Sequence, residues 1–114
     1  MTNEEIHNKL ETHAISKGYK VNSTPFINNS YNNHTKKIIT IYCQINEREN
    51  AILAHEIGHI YEYKMTKYVI IFAELLAWIC GYLVCIKNKI KIKNYWRVAR
   101  ECLKTYIKKT KWGD

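Results

Sequence analysis

From Tyr68 to Ile86 the chain carries one charged residue, Glu74, in an otherwise apolar run flanked by Lys67 and Lys87. Such a run is long enough to cross a bilayer. The carboxylate near its middle opposes that, because a charge at the centre of a span costs about 2.5–3.5 kcal/mol even on lenient insertion scales. The alternative is a helix covered by the rest of the domain, which can be apolar all round. We expect that arrangement, with no membrane span and no membrane partner. A buried carboxylate then needs company, since an unpaired one is costly and a metal ion removes the cost.

The company lies a short distance upstream. His55-Glu56-Ile57-Gly58-His59 is an HExxH motif. Residues i and i+4 share a helical face, so both imidazoles can converge on one metal ion. Zinc accepts neutral imidazole nitrogen, and a catalytic zinc takes three protein ligands and keeps a fourth position open. Glu56 follows the first ligand directly and can serve as a general base toward water. Glu74 is the best third ligand. With a turn at Met65–Lys67, an antiparallel helix pair brings His59 and Glu74 to within about one helical turn of the same height. His34 and His13 are the reserves. Ala51, Ala54 and Gly58 put small residues on one side of the motif helix, where another helix can approach. Leu53, Ile57 and Ile60 can face a core.

Caps and periodicity set the surrounding elements. Thr2 with Glu5 has capping-box spacing. Ile6, Leu10, His13 and Ala14 recur at helical spacing, which gives a first helix over residues 3–17. The stretch 19–35 is rich in Asn, Ser and Thr and holds the only proline, Pro25. It suggests short strands and turns, with one strand at Tyr19–Asn22. Lys36–Cys43 is the strongest strand by its β-branched and aromatic content. Asn46 with Glu49 caps a helix over 47–63. A second covers 68–86, residues 87–93 connect, and the last helix covers 94–110. The expected class is α+β, a single domain over residues 1–114. Its order is an N-terminal helix, short strands, then three helices with HExxH on the first of these.

Ile52-Leu53-Ala54-His55-Glu56-Ile57-Gly58-His59, followed by Glu74-Leu75-Leu76-Ala77, resembles the ImmA/IrrE family of phage and mobile-element metallopeptidases. The resemblance covers Ile38 to Cys85. It implies a small zincin-like domain, with zinc held by His55, His59 and Glu74 and with Glu56 as the catalytic acid and base. It further implies peptide-bond hydrolysis in a protein or peptide substrate such as a phage-type repressor or related regulator. That chemistry needs a donor for the developing oxyanion. His34, Tyr42, Tyr61 and Tyr63 are candidates. The strand Lys36–Cys43 can line the cleft and pair with an extended substrate.

Lys and Arg outnumber Asp and Glu by 18 to 10, a net charge of +8. A basic surface favours polyanions. In the last helix Lys93, Arg97, Arg100, Lys104, Lys108 and Lys111 form a basic stripe. Ile92, Tyr95, Trp96, Ala99, Cys102, Leu103, Tyr106 and Ile107 form an apolar side, with Trp96 read as core. We read the stripe as mainly solvated, with nucleic acid a weak and salt-sensitive partner. The alternative function is a non-cleaving, zincin-like regulatory module that binds DNA or protein through this helix. Glu56 favours the enzyme, because a purely structural metal site has no use for it. The polar, acidic start Met1–Glu5 is unlike a signal peptide. Cys43, Cys80, Cys85 and Cys102 form neither a CxxC pair nor a disulfide framework. A reducing, cytoplasmic setting is expected.

Overall fold

Thr2 starts the first helix as its spacing predicts. Its hydroxyl accepts the Glu5 N–H at 3.1 Å, and the Glu5 carboxylate accepts the Thr2 N–H at 3.4 Å. Helix α1 (Asn3–Ser16) buries Ile6, Leu10, His13 and Ala14. It ends at Gly18, whose φ of 86° lies in the left-handed region that a residue without Cβ enters freely. This computed structural model describes residues 1–27, 29–62 and 70–109. The expected turn at Met65–Lys67, the oxyanion candidate Tyr63, the helix start at Tyr68 and the helix end at Thr110 lie outside them.

Three strands follow: β1 (Lys20–Thr24), β2 (Tyr31–Asn33) and β3 (Ile38–Tyr42). They form one sheet in the order β1-β3-β2. β3 runs parallel to β1, with Val21 opposite Ile39, and antiparallel to β2, with Asn32 opposite Ile39. Alternation along β3 turns Ile39 and Ile41 into the core, where both are buried. This order corrects one expectation. β3 has β1 along its whole length on one edge and β2 beside Ile38–Thr40 on the other, so over those three residues it has no free edge for a substrate. The strand tied to the motif helix by an edge position is β2, whose Asn32 side-chain amide donates to the Glu56 carbonyl at 2.8 Å.

Helix α2 (Glu47–Glu62) begins after Asn46, whose side-chain oxygen accepts the Glu49 N–H at 2.8 Å. It runs through the middle of the domain, and Ala51, Leu53, Ala54 and Ile57 are fully buried. Helix α3 (Ile70–Lys87) lies along it at very short range. A Cβ on Gly58 would strike the Ala77 carbonyl and come within 2.8 Å of the Gly81 nitrogen. A Cβ on Gly81 would strike the Ala54 carbonyl. The small-residue side expected at Ala54 and Gly58 is therefore the α2–α3 seam, and Gly81 completes it from α3.

Helix α4 (Tyr95–Lys109) closes the core with Tyr95, Val98 and Ala99. The Tyr95 hydroxyl donates to the Trp78 carbonyl at 2.5 Å. Lys93, Arg97, Arg100 and Lys104 of the basic stripe are exposed. The Lys108, Tyr106 and Ile107 side chains and all of Lys111 lie outside the description. Two further expectations are corrected. Among the described residues α3 is not covered all round, because it packs mainly against α2 and α4, and these leave one flank open. Trp96 is 45 % exposed rather than core, since the inward face of α4 is filled by Tyr95, Val98 and Ala99. Among the described residues no helix is long and apolar enough to cross a membrane.

Candidate metal centre

One helical turn separates His55 from His59 on α2, and Glu74 reaches both from α3. His55 Nε2 lies 3.1 Å from Glu74 Oε1, and His59 Nε2 lies 3.0 Å from Glu74 Oε2. One carboxylate thus bridges two imidazoles. The potential ligand atoms of the three residues lie within 4.8 Å of one another. Bonds of about 2.0–2.2 Å to a tetrahedral zinc place its ligand atoms roughly 3–4 Å apart, so the three side chains fit one small cation. The α2–α3 seam makes this possible: only backbones in near contact bring a side chain as short as Glu74 across to both histidines.

The electrostatics favour positive charge at this point. Burial opposes a charge on His59, but its hydrogen bonds to Glu74 and Glu62 and the charges of Glu56 and Glu74 raise its pKa to about 9. Burial likewise opposes ionisation of Glu74, but its bonds to His55 and His59 and their charges hold its pKa at about 2. Glu56 is buried, with Oε2 4.0 Å from His55 Nε2. Burial pushes its pKa up, the two histidines pull it down, and Glu74 adds to the rise; the net direction is up.

Other side chains orient the cluster. His59 Nδ1 donates to Glu62 Oε1 at 2.7 Å, which turns Nε2 toward Glu74. A carboxylate on the far nitrogen is the usual support of a metal-binding imidazole. His55 is held differently. Its Nδ1 is buried without a hydrogen-bond partner among the described residues, and its ring stacks on Trp78 at 4.2 Å and 19°. Neither Glu62 nor Trp78 was singled out from the sequence. Helical spacing held the signal for both: Glu62 is three residues after His59, and Trp78 four after Glu74.

The cluster opens into a cleft of about 720 Å³ that Glu56, His34, Tyr31 and Asn32 also line, with Cys102 and Thr105 from α4. Of the four candidate oxyanion donors, His34 is the one brought to this cleft among the described residues. Its Nδ1 lies 3.0 Å from the Tyr19 hydroxyl, and its ring meets that of His59 edge-on at 6.5 Å. Burial and then the charge on His59 lower its pKa. Tyr61 is engaged elsewhere, 2.6 Å from His13 Nε2, and Tyr42 does not line the cleft. The reserve ligands fall out for the same reason: His13 sits between Tyr61 and Asn88, and His34 is outside the three-residue cluster.

Two histidines and a carboxylate from adjacent helices, facing an open cleft, define the class of site: a candidate metal centre of the His–His–Glu kind. Comparison of the chain with family models, with curated proteins and with solved structures returned no match.

Proposed function

We propose that the chain is a zinc-dependent peptidase with a zincin-like fold, similar to the ImmA/IrrE metallopeptidases, acting on a protein or peptide substrate such as a regulator. The observation that carries this reading is the meeting of His55, His59 and Glu74 in a cleft that also contains a buried second carboxylate, Glu56. Zinc is the metal that this donor set suits best: two imidazoles and one carboxylate are a common catalytic zinc set, and such sites leave one position to solvent or substrate. Zinc held there would supply Lewis acidity toward a carbonyl oxygen and toward water.

The chain's own groups supply the rest. Glu56 Oε2 accepts a proton from water beside the cluster and returns it to the leaving amine, a task suited to a carboxylate whose pKa is raised. His34 stands in the cleft, steadied through Nδ1 by Tyr19, where it can donate a hydrogen bond to negative charge forming on the substrate oxygen. Trp78 and Glu62 keep the two imidazoles in place while this happens.

The test compares the zinc-loaded chain with Glu56→Gln on a complex mixture of peptides, with products read by mass spectrometry. New termini should appear with the parent chain and fall by about 10²-fold or more in Glu56→Gln, as loss of a general base requires. Equal zinc in both proteins with no cleavage by either would instead favour the non-cleaving module.

A further inference from the structure

Helix α3 has two faces, and the metal centre uses only one of them. Glu74, Ala77, Trp78, Gly81, Val84 and Cys85 are buried. Phe72, Leu75, Ile79, Tyr82, Leu83 and Ile86 are exposed, Phe72, Leu83 and Ile86 each by more than half (57 %, 56 % and 56 %). At 100° per residue these six fall within one arc of about 100° that runs the length of the helix. No polar residue interrupts the arc. The exposed Trp96 extends it from α4, its ring 5.1 Å from that of Tyr82. Monomeric proteins seldom leave a continuous apolar strip of this extent facing water.

The surroundings of the ridge say what it meets. From Leu75 to Arg100 the sequence has no Asp or Glu, while Lys87, Lys89, Lys91, Lys93, Arg97 and Arg100 are all exposed. In the connector after α3 the alternation has a structural cause: Ile90 is buried and Ile92 half-buried, so the intervening lysines point to solvent. An apolar ridge, amphipathic aromatics at its rim and a row of exposed cations, Arg97 among them paired with Glu101 at 3.8 Å, match an anionic lipid surface. Acyl chains would take Phe72, Leu83 and Ile86, and headgroup phosphates the lysines. Nucleic acid would satisfy the cations but leave the ridge wet. Symmetric pairing of two copies around the C-terminal half of α3 would set the exposed lysines of one connector against those of the other.

We propose that this face of α3, with Trp96 and the Lys87–Lys93 connector, docks the chain on an anionic membrane surface, with α3 lying in the plane of the interface rather than crossing it. As a proposal it departs from the sequence-based expectation of no membrane partner. It does not depend on the peptidase reading, because Glu74 leaves α3 on the side away from the ridge.

Co-sedimentation of the full chain with vesicles of phosphatidylcholine, alone or mixed with phosphatidylglycerol, tests it. Binding should require phosphatidylglycerol and fall about tenfold or more as salt is raised. The double variant Leu83→Glu, Ile86→Glu and the triple variant Lys89→Glu, Lys91→Glu, Lys93→Glu should each lose about tenfold or more, with zinc content and helical circular dichroism unchanged. A measurement on the parent chain stands apart from variant folding: brominated acyl chains should quench its tryptophan fluorescence, and less so in Trp96→Phe. The proposal is overturned if the parent chain ignores phosphatidylglycerol vesicles or binds both lipids equally. It is equally overturned if the folded Leu83→Glu, Ile86→Glu variant binds undiminished, or if sedimentation shows a stable dimer that this variant breaks.

Discussion

Trp78 is the residue on which most of the site depends without belonging to the metal cluster. It is 1 % exposed, stacks on His55, and takes the Tyr95 hydroxyl on its backbone carbonyl. Because His55 Nδ1 has no hydrogen-bond partner among the described residues, the stack and the Glu74 contact at Nε2 together fix that imidazole. Trp78→Ala should therefore act twice. It should destabilise the fold by about 3–5 kcal/mol, the usual effect of emptying an aromatic site in a core. It should also weaken metal binding by about tenfold or more, as loss of outer support commonly does. Chemical denaturation and zinc titration measure the two effects separately. A variant that loses stability but binds metal as tightly as the parent would show that the stack does not orient His55. At this scale the motif and Glu74 were readable from the sequence, because spacing on a helix and one carboxylate in an apolar run are local facts. The selection of His34 over Tyr42 and Tyr61 was not, since it depends on the partners that Tyr19 and His13 find across the fold.

Among the elements, the α2–α3 pair decides whether a site exists at all. Gly58 has the backbone of Ala77 in the space that a methyl group would need. Gly58→Ala improves local helix propensity by about 1 kcal/mol, yet it must push α3 away. Overpacking of this kind costs about 1–3 kcal/mol and here acts on backbone, which cannot rotate aside. The net expectation is a less stable protein whose Glu74 no longer spans both histidines. Thermal unfolding and metal content of Gly58→Ala check this; unchanged values for both would mean that the helices are not in close contact. Helix positions were legible within a residue or two where caps announced them, as Thr2 and Asn46 did. The parallel pairing of β1 with β3 was not, because nothing in Lys20–Thr24 names its partner. Nor was the open flank of α3. An all-apolar helix reads as buried from sequence, and only the number of neighbours that reach it shows otherwise.

For the whole molecule, a second, part-buried cluster ties α1 to α2 and to the end of α3 through a histidine, His13. The Asn88 side-chain amide donates to His13 Nδ1 at 3.1 Å, so the proton of neutral His13 sits on Nε2 and meets the Tyr61 hydroxyl at 2.6 Å. Burial, then the charges of Lys17 and Lys87, lower the His13 pKa below 6.5. The unfolded chain then binds this proton more readily than the folded one. Stability from His13 is thus complete above the unfolded value and declines as pH falls through it toward the lower folded value. Relative to His13→Gln, the parent protein should lose stability below about pH 6.5, where the free imidazole titrates. Urea unfolding across pH, with both proteins at equal zinc, reads this difference. A constant difference at all pH values would show that His13 takes up its proton equally in both states.

The candidate centre stands on the three side chains that join α2 to α3. Zinc per chain, measured by elemental analysis after dialysis of the parent protein beside Glu74→Ala, tests it most directly. The expected result is one zinc per chain for the parent and little for Glu74→Ala, with helical content retained in both. A parent protein that holds no zinc, or a Glu74→Ala protein that holds as much as the parent, would contradict it.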